Sequence, residues 1–220
     1  MPEPDAPGRA ILDQIDALPR STRPILICDI DEVVLHLVRH LRTYLVANDL
    51  VLLEDRYRLT NNIARKEDKT LLSPDAVKRL LQEFFDRQSH DQDLVDGAHE
   101  ALHTLAERRD VIFLTNLPGV HNKPLRERLL ASYGFSFPLL VNSGPKGGAV
   151  AALSANREGR AVFIDDSPTN HTSVNASLPT AVQVQFIADD TFRANMAQEP
   201  HVDLLTGNWS ETASFVSELS

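Results

Sequence analysis

The stretch Ile25-Leu26-Ile27-Cys28-Asp29-Ile30-Asp31-Glu32-Val33-Val34 follows Pro24 and runs an apolar segment into two carboxylates separated by one residue. A short, isoleucine-rich apolar run of this length reads as a strand buried on both faces, the kind that parallel sheets contain. Open α/β folds place their sites at the ends of such strands. Two acids there are costly unless a bound cation or a retained proton compensates for the charge. The plainer alternative is a strand that merely ends in acids, with Asp31 or Glu32 capping a helix. The stretch alone leaves both open, and three later segments separate them.

Working outward, residues 1–8 read as a loose arm, Ala10 to Leu18 as a short helix, and Pro19 to Pro24 as a connector. After Val34 the period turns helical through Leu35, Val38, Leu41, Leu45 and Val46, ending near Asn48. Leu50 to Leu53 and Tyr57 to Thr60 flank Glu54-Asp55-Arg56 as a small hairpin. Ser73-Pro74 starts a helix carrying Val77, Leu80, Leu81, Phe84 and Phe85. The segment 35–94 therefore reads as a small, mostly helical module. It splits a core made of 1–34 and 95–220.

Beyond it, strands alternate with helices. Val111-Ile112-Phe113-Leu114-Thr115-Asn116, Pro138 to Asn142, Arg160 to Asp166 and Ala181 to Ile187 read as strands. Helices are expected over Ala98 to Arg108, Lys123 to Tyr133, Ala149 to Leu153, from Ser167-Pro168 through Val174, and from Ser210 to Leu219. Residues 188–207 show little pattern. This alternation implies an α/β fold: a parallel sheet flanked by helices on both faces, with the small, mostly helical module attached.

Composition sets the bounds. Of 220 residues, 42% are hydrophobic and 24% charged, enough apolar material for a packed core. With 22 basic and 31 acidic residues the net charge is -9, and no basic tract stands out, so nucleic acid is not an expected partner. A single cysteine, Cys28, excludes an intrachain disulfide and suits a reducing compartment. No apolar run is long enough for a bilayer, and no secretory signal pattern opens the chain. The expected location is the cytoplasm, with no membrane partner.

Four strand ends carry polar residues: Asp29 and Asp31, then Thr115 and Asn116, then Lys146 just past a strand, then Asp165 and Asp166. In a parallel sheet these ends share one edge. Converging carboxylates repel, so a hard divalent cation such as Mg²⁺ is their natural partner. A hydroxyl, a lysine and a metal together can hold a tetrahedral dianion, the arrangement phosphoryl transfer needs.

Asp29-Ile30-Asp31-Glu32-Val33, Phe113-Leu114-Thr115-Asn116, Lys146 and Asp165-Asp166-Ser167-Pro168-Thr169-Asn170 resemble, in order, the four signature motifs of the haloacid dehalogenase-like (HAD) hydrolase superfamily. The resemblance covers the chain from about Ile25 to Asn170. It implies a Rossmann-like core, a cap inserted between the first two motifs and Mg²⁺-dependent chemistry through an aspartyl-phosphate. Asp29 would be the nucleophile. Asp31 would protonate the leaving group and then activate water. Thr115 would bind a phosphoryl oxygen, helped by the Asn116 backbone or amide, and Lys146 would neutralise phosphate and orient Asp29. Asp166 would ligate the metal with Asp29 and the Asp31 carbonyl, Asp165 would be a direct or water-mediated ligand, and Asn170 would support the set from behind.

The implied activity is hydrolysis of a small phosphorylated metabolite or nucleotide. A phosphomutase and a non-catalytic HAD-like binding protein are the other two readings. Dehalogenating members lack the second aspartate of the first motif, so Asp31 favours phosphate chemistry. Where many members have a small residue and then threonine after that aspartate, Glu32 and Val33 stand here. Glu32 brings charge near the site unless it points away or finds a partner. His36, Arg39, His40, Arg56, Tyr57, Arg58 and Asn61 are candidates for touching the rest of the substrate, although a solvated face explains most of them. His121 lies near the cavity mouth or in a plain loop. Oligomeric state leaves no trace in the sequence.

Overall fold

The computed structural model describes residues 4–55, 59–88, 90–119 and 121–219. The chain runs through α1 (Arg9–Asp16) into β1 (Ile25–Cys28), then through α2 (Val38–Ala47), β2 (Leu50–Leu52), β3 (Ile63–Arg65) and α3 (Pro74–Gln88). It continues as α4 (Ala98–Ala106), β4 (Asp110–Thr115), α5 (Asn122–Ser132), β5 (Leu139–Val141), α6 (Gly147–Ser154) and β6 (Val162–Asp165). The last elements are α7 (Pro168–Ser177), β7 (Val182–Phe186), α8 (Asp190–Ala194), β8 (Leu204–Thr206) and α9 (Trp209–Ser217).

The main sheet has the order β5-β4-β1-β6-β7-β8, with every pair parallel. The deciding stretch lies at its centre. Cys28 pairs with Phe113 on one side and with Ile164 on the other. All four β1 side chains are fully buried because both faces are covered. Leu26 and Cys28 pack with Leu102 and Leu105 of α4 and Trp209 and Val216 of α9. Ile25 and Ile27 pack with Ile11 of α1, Val150 and Leu153 of α6 and Val174 of α7. The alternation is the period of two that a strand imposes. After β1 the chain builds outward through β4 and β5, then returns across β1 to β6. The reversal of order beside β1 puts a crevice at the carboxyl ends of β1 and β6.

Between β1 and α4, α2, the antiparallel β2–β3 pair and α3 share an apolar cluster of their own. It contains Leu41, Leu45, Ile63, Val77 and Phe84, joined by Leu117 from after β4. Tyr44 and Phe84 meet edge-to-face at 5.4 Å between ring centroids. Among the described residues, no helix is long and apolar enough to cross a membrane.

The structure departs from the sequence reading in four places. The helix expected directly after Val34 begins at Val38, because residues 30–35 form a tight turn in which the Ile30 carbonyl accepts from the backbone of Val33, Val34 and Leu35. The second strand of the small hairpin is Ile63–Arg65, and Leu59 and Thr60 of the expected Tyr57–Thr60 strand lie outside it. Buried Asn62 closes the intervening loop by bonding Leu53 N, Glu54 N and Glu54 O, and Tyr57 itself lies outside the described residues. The unpatterned stretch 188–207 holds α8 and a sixth strand, β8, too short to show a period. The arm is anchored from Asp5, whose backbone N–H donates to Ser177 and whose carboxylate accepts from Ser173. Gly148 lets it lie there, since a β-carbon at that position would sit 2.3 Å from the Asp5 carbonyl oxygen.

Candidate active site

β1 delivers Asp29 to the crevice, and its N–H extends the ladder to Ile164 O (2.8 Å). β6 delivers Asp165, and Asp166 follows it. Lys146 reaches in from the residue before α6. Its position is fixed by a close helix contact: a β-carbon on neighbouring Gly147 would lie 2.2 Å from the Ser173 carbonyl of α7. Lys146 is 1% exposed and bridges two acids, with Nζ 2.8 Å from Asp29 and 2.7 Å from Asp165.

Asp165 is fully engaged. One oxygen accepts from Ser167 N and Asn170 Nδ2, each at 2.9 Å, and the other takes the lysine. Its carbonyl accepts from His171 Nε2 (2.9 Å). Asp166 is buried, and no lysine or arginine pairs with it among the described residues. Asp29, Asp165 and Asp166 each offer an oxygen within 4.8 Å of the others. This compact, oxygen-only, buried donor set fits a hard divalent cation.

Burial pushes the Asp29 carboxyl up to about 7; Lys146 opposes the rise, and the charges of Asp165 and Asp31 add to it. Asp166 is pushed well above the ordinary carboxylate range by burial and then by Asp29, Glu32 and Asp31. Lys146 ends above its ordinary value: burial lowers it, but Asp165 and Asp29 outweigh that.

Thr115 is buried at the end of β4. The Asn116 side chain is already spent on structure. It donates to Gly144 O (2.9 Å) and accepts from Asn142 (3.0 Å), tethering the loop that carries Lys146.

Two neighbours in sequence, Asp31 and Glu32, diverge. Glu32 adopts φ +64° and is fully buried. Its carboxylate accepts from Leu37 N (3.0 Å), Val38 N (2.7 Å) and Asp189 N (2.6 Å), so it caps α2 and ties it to the segment before α8. Burial still raises its pKa, partly offset by these bonds. Asp31 turns the other way. Its Oδ1 accepts from Gln92 Nε2 (3.0 Å) and Arg126 Nη2 (3.1 Å), and both partners are completely buried.

Sequence reasoning missed both of those partners. Arg126 lies in the polar helix α5, where its only signal is a shared face with Asn122 and Leu130, all three buried at a spacing of four. Gln92 lies between two aspartates in a short connector and gives no signal.

A cavity of about 450 Å³ opens over this set. Asp29, Asp31, Thr115, Asn116, Lys146 and Asp166 are among its floor residues, while Leu37, Leu59, Leu81 and Phe85, all from the segment between β1 and α4, form a wall. His36, Arg39, His40 and Asn61 do not line it. His36 meets Arg39 at 3.0 Å, and His40 accepts from Asp93 N at 3.0 Å. Arg56, Tyr57 and Arg58 lie outside the described residues. His121, just before α5, meets Asp86 of α3 at 2.8 Å.

No family model matches the sequence, and no curated protein does. Solved structures do resemble the fold. One is a haloacid dehalogenase-like family protein from Streptococcus pneumoniae, at 11% identity over 89% of this chain and 99% of that one, with a TM-score of 0.60. Another, from Bacillus subtilis, is named as a HAD-hydrolase and was solved bound to magnesium (16%, 89% and 99%, TM-score 0.57). A third, from Thermotoga maritima, is named for β-phosphoglucomutase (16%, 90% and 100%, TM-score 0.55). The chain has the fold of the HAD-like hydrolases.

Proposed function

We propose that this chain is a Mg²⁺-dependent phosphomonoester hydrolase working through an aspartyl-phosphate on Asp29. The observation that carries the reading is the cluster at the β1–β6 crevice: three carboxylates within 4.8 Å, bridged by one buried lysine, beneath a cavity that a small ligand can fill.

Asp29, Asp166 and the Asp31 carbonyl would hold Mg²⁺, with Asp165 acting through water because its oxygens are already bonded. Bound there, the ion supplies positive charge that screens carboxylate from phosphate. Asp29 attacks phosphorus as a carboxylate, and the ester oxygen departs with a proton from Asp31. Asp31 then takes a proton from the water that cleaves the acyl phosphate. Thr115 donates to a phosphoryl oxygen. Lys146, fixed by Asp165, orients Asp29 and neutralises the transferred group. The segment 35–94 serves as a cap that closes the cavity against bulk water.

The test is phosphate release from a panel of monoesters with and without Mg²⁺, alongside Asp29→Asn. Release should require Mg²⁺ and fall by roughly a thousandfold or more in the variant, as expected when a covalent nucleophile is lost. Equal rates in the variant would sink the reading. Mg²⁺-dependent consumption of ester without free phosphate would point to transfer onto a second hydroxyl.

A further inference from the structure

The cavity has two chemically different walls. The floor is carboxylate, amide, hydroxyl and one ammonium group. The wall supplied by the inserted segment is, among the described residues, entirely hydrocarbon: Leu37, Leu59, Leu81 and Phe85. α3 creates half of this wall by its period, since Leu81 and Phe85 are four residues apart and share a face. Phe84, one step around the helix, turns instead into the cluster with Tyr44.

This wall stands where the alcohol portion of a phosphate ester would lie once its phosphoryl group occupies the floor. Hydroxyls pressed against leucine and phenylalanine lose water without gaining a partner, which costs affinity. Alkyl or aryl groups, in contrast, gain by burial there. We infer that the substrate is the phosphate monoester of an apolar alcohol or phenol rather than of a polyhydroxylated one such as a sugar. This rests on the phosphate-binding floor proposed above.

The experiment titrates methyl-, propyl- and pentylphosphonate into the Mg²⁺-loaded protein by calorimetry and measures phosphate release from the matching alkyl phosphates. The leaving groups of the series differ little in acidity, so apolar area is the main variable. Affinity should rise roughly two- to fourfold per added methylene, the upper figure corresponding to about 0.8 kcal/mol for each one buried. Leu81→Gln and, independently, Leu59→Gln should flatten the series, and glycerol phosphate should bind no better than methylphosphonate.

A flat series in the parent protein, no binding at any chain length, or tighter binding of the polyhydroxylated ester overturns the inference. The two readings fail separately. A steep phosphonate series with no phosphate release supports the apolar wall and removes the hydrolase. Release from all esters with no dependence on chain length keeps the hydrolase and removes the apolar substrate.

Discussion

At the N-terminal end of the sheet Asp110 is held by two arginines, Arg23 and Arg157, and Arg109 donates to the carbonyls of Arg160 and Leu219. At the C-terminal end, among the described residues, five buried carboxylates, Asp29, Asp31, Glu32, Asp165 and Asp166, stand with two buried cations, Lys146 and Arg126. Shape does not distinguish the ends. Cavities of about 330 and 570 Å³ lie at the first, and one of about 450 Å³ lies at the second. Charge balance does distinguish them. A charge matched by its neighbours contributes modestly to stability. Buried like charges left in excess oppose folding and persist where something else compensates. The difference teaches that the site is recognised by what its protein groups fail to neutralise.

The largest effect on stability should come from supplying the missing charge. Burial, with Asp165 and Asp31, raises the Asp29 carboxyl from 3.8 to about 7 despite Lys146. Between these values the folded protein keeps a proton that the unfolded chain has released. Without metal, therefore, this contribution is present at low pH and is lost as pH rises through about 7. Mg²⁺ competes for the same oxygens, so it should stabilise more at pH 8 than at pH 5, by roughly 5 °C or more in melting temperature. Melting curves at both pH values, with and without Mg²⁺, provide the check, and Asp29→Asn should remove much of the pH dependence. A Mg²⁺ increment equal at both pH values would dissolve the contrast between the two ends.

Much of this contrast was legible in the sequence, for a specific reason. Asp29, Thr115, Asp165 and Asp166 follow short apolar runs that alternate with helical periods, the pattern of a parallel sheet, and that pattern locates them on one edge. Lys146 is legible through its place just past a strand and its order among the motifs; the close helix contact that its glycine neighbour makes shows only in the structure. Arg126 and Gln92 come from polar segments in which buried and solvated residues look alike. Glu32 was ambiguous because an acid can serve a metal or a helix N-terminus equally well; the left-handed turn at Glu32, which decides the matter, has no glycine to announce it. β8 was missed because three residues cannot display a period.

The next prediction concerns the residue that the motifs did not contain. Arg126 is fully buried, and its Nε and Nη1 have no protein partner among the described residues, so its burial is poorly compensated except through Asp31. A guanidinium kept under these conditions fits the task of orienting the proposed acid. Arg126→Met should lower kcat roughly ten- to a hundredfold on alkyl phosphates and much less on a nitrophenyl ester, whose leaving oxygen needs little protonation. Equal losses on both esters would mean that Arg126 merely supports the fold.

The smallest effect belongs to the balanced end. Burial raises the Asp110 carboxyl, but hydrogen bonds from Ser21 and Arg157 and the charges of Arg157 and Arg23 hold it below its ordinary value overall. Its contribution is therefore present above the unfolded carboxylate range and disappears as pH falls through the lower folded value. Because Asp110 is partly exposed, solvent screens the pair, and Asp110→Asn should cost about 1 kcal/mol or less. Denaturant melts at pH 7 would measure that loss, and it should shrink as pH falls below the ordinary carboxylate range, first as the unfolded chain and then as the folded carboxylate takes up its proton. Phosphate release should stay within about twofold of the parent, since no element carries Asp110 to the crevice. A variant that lost activity while keeping its stability would show that the two ends are coupled through β4, and the separation of stabilising charge from chemical charge would fail there.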